Sequence, residues 1–282
     1  MSRNSGWLAM APLLALALLC GCRREGAADP GRTASTAGVA TASGAIGATE
    51  TEAPAPLEDV MERDPRYVVG ISYPPAAKAY PGLAALLAAY ADAARAELMQ
   101  AVDGLGDAQP TAPYDLALDF AMLLDSPQVV AVAAHGSSYT GGAHGTPLVA
   151  RFVWLPARSE ALTAARLVPQ AQGWQPIAAY VREQLAEGLS ARVDAAAPAP
   201  DERAERLRSG LRMIDEGTAP TAANFAQFEP VPGADGRLRA LRFVFPPYQV
   251  GPYSDGTRSV EVPAAVLLPV VAPQYRGLFE GG

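Results

Sequence analysis

The alternation of hydrophobic and polar residues predicts a chain built from short strands and a few long helices. Period-two alternation, or short apolar runs bounded by turn residues, predicts strands at 67–73, 116–122, 128–134, 148–155, 225–230, 238–245 and 258–262. Apolar residues at steps of three and four predict helices over 81–104, 174–189 and 202–216, and Pro263 begins a shorter helix. Asp201 is placed to cap the helix over 202–216.

The order of these elements defines the fold class. Strand, helix, strands, two helices and further strands succeed one another, which predicts an α+β fold with helices packed on an antiparallel sheet. The strands at 116–122, 128–134 and 148–155 form a three-stranded meander in this prediction. A division near residue 165 into an N-terminal part, 59–165, and a C-terminal part, 166–282, is left open, because both parts also fit one continuous unit.

The first residues predict a lipoprotein signal peptide over 1–21. Arg3 supplies the positive start, and the apolar run at 8–19 is shorter than the ~20 residues that a membrane-spanning helix needs. The run ends at Leu19-Cys20-Gly21-Cys22, where a small residue precedes the cysteine that becomes lipidated, so Cys22 is the predicted lipidation site. Cys20 fits less well because Leu19 is bulky. The alternative is an ordinary secretory signal with an incidental cysteine.

Residues 22–58 predict a flexible tether between the lipid and the folded part. The stretch is rich in Ala, Gly, Thr, Ser and Pro and has no apolar periodicity. A coil of this length reaches ~30–35 Å. Arg23, rather than aspartate, follows Cys22. By resemblance to lipoprotein sorting in Gram-negative bacteria, this predicts a location at the periplasmic face of the outer membrane, with the membrane contacted through the lipid anchor.

The net charge of the chain limits the classes of partner that it is expected to bind. The chain carries 22 basic and 29 acidic residues, a formal net charge of −7. An acidic chain of this kind is a poor candidate for binding nucleic acid, so none is predicted as a partner. Both cysteines lie in the first 22 residues, and cleavage before Cys22 leaves a single, acylated thiol. The folded part is therefore expected to hold together without a disulfide.

Both histidines lie in the polar stretch His135–Gly145, which is predicted to be a loop between two strands. A zinc site needs three or four ligands, and no cysteine or paired-histidine motif accompanies His135 and His144, so no metal or cofactor is predicted. Ser137 and Ser138 lack a nucleophile-elbow motif. Asp115, Asp119 and Asp125 supply carboxylates without singling out the pair that a glycosidase needs. No catalytic residue is assigned.

A binding role fits these residues better than catalysis does. Gly141 and Gly142 predict a tight turn, and the alternative is a set of outward N–H groups that hold an anion. Tyr248 and Tyr253 flank Gly251-Pro252 and either pack on the protein or offer flat faces to a sugar or another protein. The candidate ligand-binding residues are Tyr139, Thr140, Gly141, Gly142, His144, Tyr248 and Tyr253.

Three motifs together resemble a known family. They are the segment 139–144, then Leu162-Thr163 with Leu167-Val168 before a helix, and finally Phe243-x-Phe245-Pro-Pro-Tyr-Gln-Val-Gly-Pro-Tyr253 with Gly256, Val260 and Val262-Pro263. This pattern, over about 67–271, resembles the extracytoplasmic domain shared by the RsiV anti-sigma factor and the peptidoglycan deacetylase PdaC, known as domain of unknown function 3298 with its partner 4163. Val168 stands where the family pattern has phenylalanine, and Gly145 stands where it has proline.

The resemblance implies a fold and a wall-associated ligand. In RsiV the similar domain binds lysozyme, and in PdaC it precedes a separate catalytic domain with no counterpart in this sequence. We therefore expect a non-enzymatic, lipid-anchored envelope protein that binds peptidoglycan, another wall component or a lysozyme-like wall-acting enzyme. The alternatives are an envelope hydrolase that acts on peptidoglycan or another polysaccharide through His144, and a scaffold for another membrane protein. The arrangement of Asp119, His135, Tyr139 and His144 separates catalysis from binding.

Overall fold

The computed structural model of the chain describes residues 57–282. The predicted signal peptide, the predicted lipidation site Cys22 and the predicted tether up to residue 56 lie outside these residues. Leu57, the first of the described residues, is buried and packs in the core. Between residues 57 and 282, no helix has both the length and the apolar character needed to cross a membrane.

A six-stranded sheet forms the N-terminal half of the described chain. Its strands lie in sequence order, β1 (Val60–Asp64), β2 (Tyr67–Ser72), β3 (Tyr114–Asp125), β4 (Val130–Tyr139), β5 (Thr146–Leu155) and β6 (Glu160–Ala161). All neighbouring pairs are antiparallel except β2 and β3, which are parallel. The long helix α1 (Pro81–Asp103) lies between β2 and β3 in the sequence, because a parallel pair needs a crossover connection.

Helix α1 covers one face of this sheet. Its buried residues recur at steps of three and four, as predicted, and pack against alternate residues of the strands, including Leu116, Leu118 and Phe120 of β3. The opposite face carries the residues between these positions, such as Ala117 and Asp119, which are exposed. This face is therefore open to solvent near β3.

A second layer follows β6. It contains α2 (Ala164–Leu167), α3 (Trp174–Ala195), α4 (Pro200–Gly217), the antiparallel sheet β7 (Phe228–Pro232), β8 (Leu238–Phe245) and β9 (Arg258–Pro263), and α5 (Ala264–Leu267). Trp174 stacks on Phe225 at 5.3 Å between ring centroids, and Phe225 meets Phe243 edge to face at 5.2 Å. One apolar cluster lies between α1 and the first sheet, and a second joins the C-terminal elements to Ala131, Val153 and Leu155 of β4 and β5. Two sheets with several helices confirm the predicted α+β class and are consistent with two subdomains.

Several predicted boundaries were wrong. The stretch from His135 to Gly145 was predicted to be a loop, but its first five residues are strand, because β4 continues to Tyr139 and pairs with both β3 and β5. Residues 140–145 form the connection to β5. The polar residues at 135–139 lie where the sheet is only partly covered, so their polarity does not indicate a loop. A Cβ on Gly136 would lie 2.0 Å from the carbonyl oxygen of Ala117, so this glycine permits the close approach of β3.

The remaining differences are local. Strands β1 and β6 were not predicted. Strand β7 begins at Phe228, and Phe225 lies in the preceding turn with its ring buried. Helix α4 begins at Pro200 with Ala199 at its N-cap, because proline is favoured in the first helical turn, so Asp201 is not the cap.

Candidate functional site

The tip of the β4–β5 hairpin places most of the candidate residues of the first motif together. Tyr139 ends β4, and residues 140–145 form the connection to β5. Gly141 and Gly142 have φ values of 101° and 95°, a conformation that residues with a side chain rarely adopt. The Tyr139 hydroxyl donates to the Gly142 carbonyl oxygen at 3.2 Å. This geometry supports the tight-turn interpretation of the two glycines, and Thr140 is exposed beside them.

His144 connects this hairpin to the loop that follows β8. Its imidazole stacks on the Tyr253 ring with centroids 4.5 Å apart and an angle of 16° between planes. Its Nε2 lies 3.3 Å from the Tyr248 hydroxyl, and the two tyrosine rings are 5.6 Å apart. Tyr248 is 53% exposed and Tyr253 is 40% exposed. We call His144, Tyr248 and Tyr253 the aromatic patch, which presents flat apolar surface with polar tips to solvent.

Tyr248 adopts a strained backbone conformation. Its φ of 72° lies in the left-handed region, which is an outlier for a bulky residue. Its N–H donates to the Gly251 carbonyl oxygen at 3.0 Å, which closes a tight turn. Strain of this kind persists only where the surroundings enforce it, and it is concentrated at functional sites.

Two side chains fix the loop that carries the tyrosines. The Gln249 amide Nε2 donates to the carbonyl oxygens of Gly217 at 2.9 Å and Asn224 at 2.8 Å. Asp255 Oδ2 lies 3.3 Å from Arg192 Nη2 and 3.0 Å from Arg258 Nη2. The loop is therefore tied to α3, the end of α4 and the start of β9, while its aromatic rings remain exposed.

The strain at Tyr248 predicts an unusual order of stability. Replacing alanine by glycine normally destabilises a chain by roughly 0.5–1 kcal/mol. At Tyr248 we expect the reverse, because the left-handed conformation costs a residue with a Cβ about 1–2 kcal/mol. Tyr248→Gly should thus be more stable than Tyr248→Ala in urea unfolding. Tyr253 supplies the control, since Tyr253→Ala should be the more stable of its two variants. If the alanine variant is more stable than the glycine variant at both positions, the backbone of Tyr248 is unstrained.

His135 lies in a different place from His144. It is the cross-strand partner of Asp119, whose Oδ1 accepts a hydrogen bond from the Ser72 hydroxyl. These residues and Asp59 line a hollow of about 400 Å³ on the open face of the sheet. Since His144 contacts Tyr248 and Tyr253, the two histidines contact different residues and belong to separate sites.

The surroundings of His135 predict its titration. Partial burial first, and then the nearby Arg151 guanidinium, lower the pKa of His135 below its ordinary value, although Glu229 and Asp119 oppose them. The unfolded chain therefore binds more protons than the folded chain near pH 6, so this histidine destabilises the fold as pH falls through about 6.5. We expect an NMR midpoint for His135 below that of an unfolded histidine, and a flatter dependence of stability on pH in His135→Gln. A midpoint at or above the unfolded value would contradict the assignment.

The geometry around His144 does not assemble a nucleophile and base. Its Nδ1 lies 3.1 Å from the Gly145 carbonyl oxygen and its Nε2 contacts Tyr248, so no carboxylate in residues 57–282 hydrogen-bonds to this ring. An activated nucleophile needs a base that a third group orients. In the part of the chain described, no three His, Cys, Asp or Glu side chains are grouped so as to hold a metal ion.

Sequence reasoning missed the residues that hold the site together. Gln249 was part of the third family motif but was given no role, and Asp255 was not singled out, because an aspartate in a loop has no distinctive pattern. The only available signal was their position among the prolines, glycines and tyrosines of residues 246–256.

Comparison with known proteins gives structural neighbours of one family. The sequence matches no family model and no curated protein. A crystal structure of a DUF3298 family protein from Pseudomonas aeruginosa PAO1 is 17% identical, with a TM-score of 0.49, and the match covers 80% of this chain and 96% of that one. A DUF3298 family member from Bacteroides fragilis NCTC 9343 is 14% identical, with a TM-score of 0.43, over 80% of this chain and 97% of that one.

Proposed function

We propose that this chain is a lipid-anchored protein of the bacterial cell envelope that binds a wall component through the aromatic patch. In this proposal Cys22 carries the lipid, residues 23–56 span the distance from the outer membrane, and the described domain meets the wall in the periplasm. The domain is assigned to the family of domain of unknown function 3298, in the form it takes in RsiV and PdaC, on the motifs of the sequence.

The exposed aromatic patch on a fixed loop is the observation that carries the proposal. Two tyrosines and a histidine from segments 104 residues apart converge at the surface, and two of them are stacked. Gln249 and Asp255 hold the loop that carries the two tyrosines, so little conformational entropy is lost when a ligand binds. Flat rings with polar tips are suited to the apolar face and hydroxyl groups of a sugar. A polysaccharide of the wall is therefore the favoured ligand.

A retention experiment tests this function. We expect the full chain, purified in detergent, to be retained on insoluble peptidoglycan. Immobilised lysozyme is the second bait, because the resemblance to RsiV points to a wall-acting enzyme. Retention on lysozyme alone would show that the ligand of the aromatic patch is a protein and not a glycan. Retention on neither would exclude the binding function in both forms.

The hydrolase alternative is tested separately. A binder leaves muropeptides unchanged, so neither the wild-type chain nor His144→Ala should release soluble fragments from peptidoglycan. Release by the wild-type chain that is lost in His144→Ala would replace the binding proposal with catalysis. Attachment is tested by Cys22→Ser, which we expect to abolish the incorporation of labelled fatty acid into the chain, because the acylated thiol is lost.

A further inference from the structure

The loop that carries Tyr253 continues into a polar hollow. This hollow, of about 480 Å³, lies between α3 and the start of β9, and its lining includes Arg192, Arg258, Thr257, Ser259 and Glu261. We call it the arginine hollow. Thr257 follows Tyr253 by four residues, so their Cα atoms are at most ~14 Å apart. The hollow and the aromatic patch therefore lie within the length of a short oligosaccharide.

Arg192 and Arg258 have more N–H donors than Asp255 can accept. Each guanidinium carries five N–H donors. A single oxygen of Asp255, Oδ2, accepts a hydrogen bond from Arg192 Nη2 and forms an ion pair with Arg258 Nη2 at 3.0 Å. One carboxylate is thus shared by two cations, which leaves a positive charge and unused N–H groups beside the hydroxyls of Thr257 and Ser259.

The acidic residue of the hollow does not cancel this charge. Glu261 is also shared by two arginines, since its Oε2 lies 3.1 Å from Arg239 Nη2 and its Oε1 accepts from Arg242. The hydrogen bond from Arg242 holds the pKa of Glu261 below its usual value, so the carboxylate stays ionised and engaged. The charged groups around the hollow therefore carry a net positive charge, although the net charge of the whole chain is −7.

We propose that the arginine hollow binds a carboxylate substituent of the saccharide that the aromatic patch holds. A planar carboxylate matches the paired N–H groups of a guanidinium, which bind it in a bidentate manner. Thr257 and Ser259 donate to its remaining lone pairs. The ligand class is then an acidic sugar chain rather than a neutral one. This inference rests on the proposed function and deepens it.

The test compares two glycans that differ in the lactyl ether groups that carry the carboxylates. The first is a chitooligosaccharide, and the second is peptide-free wall glycan of the same length, in which alternate sugars carry a lactyl carboxylate. Calorimetric titration of the full chain should give roughly tenfold tighter binding of the carboxylated glycan, as expected for a charge-assisted hydrogen-bonded pair. Arg258→Gln should remove this preference, because it takes away one of the two guanidinium groups of the hollow.

Two further variants keep the test decisive. Arg208 is an exposed arginine of α4 outside the hollow, and Arg208→Gln should keep the preference. If Arg258→Gln disturbs the loop by releasing Asp255, Ser259→Ala probes the hollow without touching that ion pair and should reduce the preference. Equal binding of both glycans by the wild-type chain would overturn the carboxylate site and leave the proposed function intact. Binding of neither glycan would overturn the proposed function itself.

Discussion

Replacing Glu229 by leucine should destabilise the domain by about 3–5 kcal/mol, because it leaves a buried guanidinium without its counterion. The Arg151 side chain is 5% exposed and that of Glu229 is 12% exposed, and Arg151 Nε lies 2.5 Å from Glu229 Oε1. Arg242 approaches the other oxygen of Glu229 at 3.2 Å. Without Glu229, Arg151 retains only backbone carbonyl oxygens as acceptors, those of Ala150 at 2.8 Å and Ala134 at 3.4 Å.

Urea unfolding of three variants checks this expectation. Glu229→Leu should unfold at a much lower urea concentration, whereas the double variant Arg151→Met/Glu229→Leu should recover much of the loss, since no unpaired charge remains. Glu205→Leu is the control, because its partner Arg208 is exposed and the pair contributes little. If Glu229→Leu and Glu205→Leu unfold at the same urea concentration, the buried Arg151–Glu229 pair does not stabilise the domain.

Gly217→Ala should both destabilise the domain and impair the aromatic patch. Gly217 ends α4, and a Cβ there would lie 2.0 Å from the carbonyl oxygen of Gln249 and 2.8 Å from its carbonyl carbon. The carbonyl group of Gln249 cannot move aside as a flexible side chain can, so the loop that contains Gln249 must shift. Overpacking of this kind costs about 1–3 kcal/mol. Because Gln249 follows Tyr248 directly, we also expect weaker retention on peptidoglycan in conditions where the variant remains folded.

The matched control is a glycine inside a helix with space around it. A Cβ on Gly188 of α3 would meet only the flexible end of Arg192, at 3.3 Å. Alanine is favoured over glycine in a helix interior by up to about 1 kcal/mol, so Gly188→Ala should raise the free energy of unfolding. Opposite signs for the two glycines are the expected result. A stabilising Gly217→Ala would show that the loop does not press on the end of α4.

The strands were predictable where one face of a sheet is buried and the other is exposed. In β3 the alternation of Leu116, Leu118 and Phe120 with small or polar residues has this cause, and it was interpreted correctly. The alternation disappears at 135–139, where both faces of β4 are partly open. Strand pairing there depends on backbone hydrogen bonds to β3 and β5, to which side-chain polarity gives no clue.

The candidate site was predictable as a set of residues and not as an arrangement. Gly141, Gly142, His144, Tyr248 and Tyr253 belong to motifs visible in the sequence. Nothing in the sequence indicates that His144 reaches a loop more than a hundred residues later, because that contact follows from how β5 lies beside β7. The strain at Tyr248 is equally hidden, since tyrosine does not favour a positive φ.

Cosedimentation with purified peptidoglycan tests the aromatic patch most directly. The double variant Tyr248→Ala/Tyr253→Ala should lose at least roughly thirtyfold in affinity if these rings form the centre of the binding surface. Leu123→Ala/Leu211→Ala is the control, because these side chains are 43% and 40% exposed and lie outside the patch. We predict that the wild-type chain and the control sediment with peptidoglycan while the tyrosine variant, still folded, stays in solution. Sedimentation of a folded tyrosine variant at the wild-type level would contradict the binding role of the patch.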